Sequence, residues 1–312
     1  MDPRLPVYLR LAELDDERFV DWVYRLALRR EPDEDDREDA LLRLRERRLS
    51  RPGLLAELVA SDDFAASSAL DDAVAAAARA RRTGERLREL TGASTLDERV
   101  IELPWVLSRY HEEEHVLDAG YAFAEPAYLL GLLELEADRL VGVDLAEPFP
   151  LAGMETVRAD IRSLPFKNES FDLAFCVSTV EHVGKDNTGY GVRALSRGGM
   201  ESGLRELRRV LTGRGRLLIS VPTGAEEDHG WFVQHQPAQW LEIFAHAGFH
   251  VPEHEVYELT EDGWRAAGDD AVVTLGYGER GSAASALLCA ELHVNDDVGP
   301  SLRERVRGLT HR

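Results

Sequence analysis

At 312 residues the chain has room for one large domain, or for a large domain with a small one. Its formal net charge of −21 argues against nucleic acid or anionic lipid as the main partner, since phosphate binding needs clustered cations. With 44% apolar and 30% charged residues it has the balance of a soluble globular protein, and the acidity reads as solubility or adaptation to salt. Cys176 and Cys289 both fall in apolar runs that read as strands, so buried reduced thiols are expected rather than a disulfide. There is no CxxC pattern and no metal is expected. The first residues, MDPRLPVYLRLAELDDERF, lack the basic and apolar regions of a signal peptide, and no apolar run approaches a membrane span. A cytoplasmic protein is predicted.

Residues 1 to about 100 are helical in character. Phe19, Val20, Val23, Leu26 and Ala27 recur at helical spacing, and Pro32 with Asp33 to Asp36 should break that helix. Leu41, Leu42, Leu44 and Leu49 mark a second amphipathic segment. A third begins where Ser50 can cap and Pro52 sits early, and it carries Leu54, Leu55, Leu58 and Val59. The pattern from Phe19-Val20 through Arg30-Glu31-Pro32-Asp33 and Leu49-Ser50-Arg51 to Phe64 resembles the small helical domain DUF4214, which often accompanies glycosyltransferases and methyltransferases. Asp71 to Leu90 is Ala- and Arg-rich and reads as a bridging helix. The expected division is a helical domain over 1–70, a helical linker over 71–99 and an α/β domain over 100–312.

From His115 the pattern changes. His115-Val116-Leu117 is a short apolar run ending in Asp118, and small residues follow: Ala119, Gly120, Ala122 and Ala124. Pro126 opens an apolar helix, and Leu140 to Val143 ends in Asp144. This is strand, tight turn, helix, strand, with its ligand side at the strand C-termini. Thr156 to Ala159 then ends in Asp160, Phe171 to Val177 reads as a strand buried on both faces, and Gly203 to Leu211 is helical. Thr212-Gly213-Arg214-Gly215 supplies a turn before the strand Arg216 to Val221. Gln236 to Ala247 is a helix stopped by Gly248, and Glu255 to Leu259 and Ala286 to Val294 are final strands. The alternation predicts an α/β fold with a parallel, doubly wound, Rossmann-like sheet.

Taken alone, the first unit could bind NAD, FAD or S-adenosylmethionine. A dinucleotide wants G-x-G-x-x-G so that its pyrophosphate can approach a helix N-terminus; here Gly120 is followed by Ala122 and Ala124. S-adenosylmethionine carries no phosphate and needs no such cradle. Asp144, 26 residues past Asp118, could accept both ribose hydroxyls, and Asp160 could accept from an adenine amino group while Ile161 donates through its backbone. A helix cap would explain Asp144 or Asp160 singly. Three acids at three successive strand ends favour a nucleoside site.

VLDAGYAFAE, LVGVDLAEP, VRADIRSLPFKNESFDLAFCVSTVEHV and ELRRVLTGRGRLLISVP resemble successive motifs of class I S-adenosylmethionine-dependent methyltransferases of the methyltransferase-11 kind. STVEHVG with the later TGYG is also similar to sugar and DUF268-like methyltransferases. The resemblance implies S-adenosylmethionine as cofactor, lined by Asp118, Gly120, Asp144, Leu145, Asp160, Ile161, Val177 and Ser178. It implies methyl transfer to oxygen of a sugar, glycan or other small molecule. A non-catalytic fold module docking a glycan-assembly partner is the alternative.

For proton chemistry, Glu181 and His182 leave the fourth strand on the ligand side, and His182 is the best-placed base because imidazole titrates near neutral pH. Both could equally shape the pocket without touching protons. They could hold a Mg²⁺, though two ligands lack a third. Gly184 to Gly203 is long, Gly-rich and polar and reads as a lid. His229 is a second base candidate and Trp231 could stack on a sugar ring, while a helix entry and a core anchor would explain them as well. Trp240, Phe244 and Phe249 read as core.

Overall fold

The computed structural model describes residues 14–28, 31–61, 68–146, 151–188, 199–281 and 283–295. Residues 1–13, where no signal peptide is expected, Phe64 of the helical pattern and the middle of the expected lid (189–198) lie outside the described residues.

Among the described residues three helices come first: α1 (Asp16–Leu28), α2 (Glu34–Arg45) and α3 (Arg51–Val59). The apolar stripe of α1 is buried, from Phe19 and Val20 through Val23 to Leu26 and Ala27. The acids after Pro32 start a helix rather than only breaking one. The Asp33 carboxylate accepts the Asp36 N–H at 2.8 Å, and Glu34 to Asp36 occupy the first turn, where the helix dipole favours negative charge. Ser50 caps α3 as its spacing predicts, accepting the Gly53 N–H at 3.1 Å.

Helix α4 (Ser68–Thr83) ends before the expected Leu90. Gly84 adopts φ +70° and the Glu85 N–H reaches back to the Ala80 carbonyl at 2.9 Å, a left-handed helix stop. The chain then runs along the sheet edge, where Gly92 bridges to Trp264. Helix α5 (Arg99–Leu107) contains Pro104 and is almost wholly buried.

The α/β part follows as β1 (His115–Ala119), a 3-10 turn (Tyr121–Phe123), α6 (Pro126–Leu133), β2 (Arg139–Asp144), β3 (Glu155–Arg158) and β4 (Phe171–Val177). After a second 3-10 turn (Val180–His182) come α7 (Gly199–Val210), β5 (Leu211–Pro222) and a two-stranded hairpin, β6 (Glu227–Asp228) and β7 (Val233–Gln234). The remainder is α8 (Pro237–His246), β8 (His250–Thr260), β9 (Gly263–Ala267), α9 (Asp269–Val272) and β10 (Ala286–His293). The large sheet has the order β3-β2-β1-β4-β5-β10-β8-β9. Its first five strands are parallel and doubly wound, as expected; β10, β8 and β9 add antiparallel pairs, which the expectation of a parallel sheet missed. Thr212 to Gly215 is not a free turn. It bulges out within β5, since Phe171 pairs with Leu211 and Leu173 with Arg216.

Successive strand residues feed opposite faces. Val116, Phe175, Leu218 and Cys289 pack under the helices α1 to α6, while Leu117, Cys176, Leu217 and Leu288 pack under α7 and α8. That two-sided burial is why these strands read as unbroken apolar runs. Both cysteines are free and buried. No helix among the described residues is long and apolar enough to cross a membrane.

The lower edge of the sheet holds a buried charge network. Arg109, with none of its side chain exposed, donates to Glu253 and Glu255 at 2.8 Å each and stacks 3.5 Å from the Trp105 ring. Arg216 pairs with Glu113 and Glu291, and Arg86 with Glu253 and Glu291. Removing one partner from such a set leaves charge buried and unmatched. Arg109→Ala is therefore expected to lower unfolding stability by about 3–5 kcal/mol, measured by denaturant titration; a loss below about 1 kcal/mol would show that Glu253 and Glu255 relax into solvent.

Candidate cofactor and active site

The chain leaves β1 toward β2 and β3 on one side, while β4 and β5 lie on the other. At this reversal the loops after β1 and β4 diverge and leave a crevice at the strand C-termini. Gly120 makes the turn with φ +106°, and a Cβ there would lie 2.2 Å from Thr179 Oγ1. Only glycine satisfies both the backbone conformation and the close approach. The chain then tightens into the turn Tyr121–Phe123, from which the Ala122 N–H donates to Asp144 at 3.1 Å.

A cavity of about 220 Å³ opens between these loops. Every expected cofactor residue lines it: Asp118, Gly120, Asp144, Leu145, Asp160, Ile161, Val177 and Ser178. His182 lines it too; Glu181 and His229 do not.

The three strand-end acids share the cavity in different electrostatic states. Asp118 is buried at 1% exposure, and desolvation pushes its carboxyl up to about 7, against a 2.6 Å hydrogen bond from the Tyr128 hydroxyl. Burial also raises Asp144, opposed by backbone N–H groups including Ala146 at 2.8 Å. Asp160 goes the other way. The Arg162 guanidinium grips both its oxygens at 2.6–3.0 Å and holds it below the ordinary carboxylate range. That partner was not foreseen.

A second wall comes from α5, which sequence reasoning missed altogether. Arg99 and Leu103 line the cavity. Arg99 pairs with Glu102, whose buried carboxylate also accepts the Ser178 hydroxyl at 2.7 Å and the Ser220 hydroxyl at 2.6 Å. Ser178 is held at φ +41°, an uncommon conformation for a residue with a Cβ. Phe123, Tyr128, Thr179 and Asn187 are further lining residues; Tyr128 lies two residues past the helix-opening Pro126.

At the exit of β4, His182 Nδ1 lies 3.0 Å from the Trp231 carbonyl oxygen. A carbonyl only accepts, so the ring proton sits on Nδ1 and the neutral imidazole keeps its lone pair on Nε2. Burial pushes His182 down to about 4, which corrects the expectation that it titrates near neutral pH. Glu181 is 2% exposed and burial raises it to about 8, so near neutrality it carries a proton; its Oε2 has no hydrogen-bond partner among the described residues. As a base it is disqualified by that proton. His229 is exposed, bonded to Glu227 at 3.0 Å and stacked on Phe232 with ring centroids 4.5 Å apart. Trp231, 38% exposed, flanks the His182 ring at 5.1 Å, whereas Trp240 is fully buried and donates to the Pro222 carbonyl at 3.0 Å. Among the described residues no group of three His, Cys, Asp or Glu side chains is arranged to hold a metal ion.

Residues 117–219 match the family model described as a methyltransferase domain. No curated protein matches the chain. Similar solved structures include an S-adenosylmethionine-dependent methyltransferase from Thermotoga maritima, 18% identical, covering 62% of this chain and 87% of that one, with a TM-score of 0.39. Another is the 1,6-didemethyltoxoflavin-N1-methyltransferase of Burkholderia thailandensis, solved with 1,6-didemethyltoxoflavin and S-adenosylhomocysteine. It is 16% identical over 91% of this chain and 93% of that one, with a TM-score of 0.42. The matched segment, which spans β1 to the middle of β5, is a class I methyltransferase domain. Its cofactor is S-adenosylmethionine.

The raised acids make a prediction about the ligand-free protein. A carboxyl whose folded pKa exceeds its ordinary value adds stability that is complete below the ordinary value and is lost as pH rises through the folded one. For Glu181 that window runs from about 4.5 to about 8, and Asp118 and Glu98, each raised by burial to about 7, act in the same direction. The thermal midpoint should fall most steeply between about pH 6.5 and 8, above the range in which His182, lowered by burial to about 4, pulls the other way, and Glu181→Gln should flatten the fall. An identical slope in wild type and variant would show that Glu181 is already ionised in the folded protein.

Proposed function

We propose that the chain transfers the methyl group of S-adenosylmethionine to a hydroxyl of a sugar, glycan or other small molecule. The observation that carries the reading is His182, which brings an imidazole with a lone pair on Nε2 to the wall of the cofactor cavity. Trp231 beside it offers a ring face on which a sugar could stack.

The residues present fit the cofactor. Gly120 lines the cavity and lets the turn lie against Thr179, where any Cβ would clash. Asp144 is the acceptor for the ribose hydroxyls, Asp160 and Ile161 face the adenine, and Asp118 faces the ammonium. Arg99, which also pairs with Glu102, and Arg162, which grips Asp160, are the lining guanidinium groups that can meet the carboxylate. When bound, S-adenosylmethionine supplies an electrophilic methyl carbon on a sulfonium. The protein's own part is alignment and the proton. With its low basicity, His182 cannot ionise a free alcohol; it accepts the hydroxyl hydrogen bond and takes the proton once the oxygen has gained positive character by bonding to carbon. Glu181, protonated and buried behind it, shapes the turn.

In the same reading, helices α1 to α4 form a helical layer on a methyltransferase unit that begins near residue 100, supported by the core that α1 to α6 share over one sheet face. The chain works in the cytoplasm.

Screening methyl transfer from labelled S-adenosylmethionine to nucleotide sugars and lipid-linked glycans tests the acceptor class; turnover confined to amines would sink the hydroxyl assignment. Asp144→Ala should weaken cofactor binding by about 10- to 100-fold in isothermal titration, the loss of a charged hydrogen-bond acceptor. His182→Ala should cut kcat by about 100-fold or more while cofactor Kd stays within about threefold. In the wild type, kcat should show no acidic limb near pH 6.5, because His182 loses its lone pair only below about pH 4. A limb at neutral pH that vanishes in His182→Ala would contradict the buried, neutral imidazole.

A further inference from the structure

Arg25 lies on α1, outside the matched segment, yet its guanidinium ends at the cofactor turn. Nη1 donates to the Ala122 carbonyl at 2.9 Å, across 97 positions of sequence. The same group sits 5.2 Å from the centroid of the Phe123 ring and 4.8 Å from that of Trp22, and it pairs with Glu31. Phe123 is itself part of the cavity wall. Ala122 is thus held at both ends of its backbone: its N–H goes to Asp144 and its C=O to Arg25. The turn Tyr121–Phe123 closes on itself through one bond, the Ala124 N–H to the Tyr121 carbonyl. Its outward carbonyl is satisfied by a helix far away in sequence.

We propose that Arg25 is a positioning residue of the cofactor site, so that α1 is part of the binding machinery rather than an appended layer. The inference rests on the S-adenosylmethionine reading. The planar guanidinium fixes the turn by a directional bond to Ala122 and by its face on Phe123, a combination a lysine cannot reproduce. Fixing the turn aims the Ala122 N–H at Asp144 and so sets the carboxylate that meets the ribose. The coupling is reciprocal: if α1 favours the ligand-ready turn, ligand must stabilise α1 to the same degree.

The test is titration of the full chain with S-adenosylhomocysteine together with hydrogen exchange of α1 amides. Arg37→Ala serves as control, since Arg37 pairs with Asp21 of α1 at 2.6 Å. The expected result is that Arg25→Ala raises Kd by about tenfold or more, and Arg37→Ala by less than about twofold. Ligand should slow exchange over Asp16–Leu28 in wild type and in Arg37→Ala, and not in Arg25→Ala. The wild-type exchange experiment stands even where Arg25→Ala does not fold. An unchanged Kd in Arg25→Ala, or no ligand effect on α1 in the wild type, overturns the proposal alone; a wild type that binds no S-adenosylhomocysteine overturns the cofactor reading with it.

Discussion

The site depends on one buried carboxylate. Glu102 is fully enclosed and can remain so only because its oxygens are taken by Arg99 and by the hydroxyls of Ser178 and Ser220. An ionised acid without such partners would cost several kcal/mol in the interior. Those partners come from three elements: α5 itself, the exit of β4 and the end of β5. The carboxylate therefore fixes where the helix before the sheet meets the strand tips, behind the wall that Arg99 and Ser178 give the cavity. Ser178 accepts a left-handed backbone as part of the arrangement, with its N–H turned to the Ser220 carbonyl at 3.0 Å. The turn that presents His182 begins two residues later.

Much of the α/β architecture was legible because burial on both faces writes itself as an uninterrupted apolar run. Phe171–Val177 reads the same in sequence and structure. The cap at Ser50 was legible for a similar reason, since it acts on a residue three positions away. What failed was whatever depended on distant pairing. β9 carries Arg265 and small residues and becomes a strand only because β8 lies beside it. The Gly-rich segment 212–215 has every mark of a turn, yet the pairing of Leu211 and Arg216 with β4 makes it a bulge. Pro104 hides α5, whose burial on all sides rather than its propensity keeps it helical.

The same division runs through the site. The acids that end β1, β2 and the segment after β3 could be found by position, as could Gly120, because a strand end is a local event. Their electrostatic states could not. Tyr128 above Asp118 and Arg162 on Asp160 decide whether each acid is raised or lowered, and a sequence pattern records neither the distance nor the burial. Arg99 and Arg25, both upstream of the α/β motifs, lie outside any window that defines the fold.

His182 shows how far burial resets the chemistry that residue type suggests. Free imidazole titrates near neutrality and so invites the role of a strong enough base. Here desolvation dominates, the Trp231 carbonyl fixes the tautomer, and Glu181, which might have restored basicity as an anion, is kept protonated by its own burial. The pair therefore offers an imidazole that is unprotonated at neutral pH but weakly basic, with its Nε2 3.8 Å from Glu181 Oε1. Such a group is suited to a displacement in which the carbon is already activated and the acceptor becomes acidic only as its new bond forms. A site that had to ionise an alcohol beforehand would need Glu181 charged and in contact with solvent or a cation. Its burial, with the acids Glu102 and Glu98 close by, outweighs the opposing charge of Arg99 and keeps the proton on, and that setting follows from the same carboxylate that joins α5 to the strand tips.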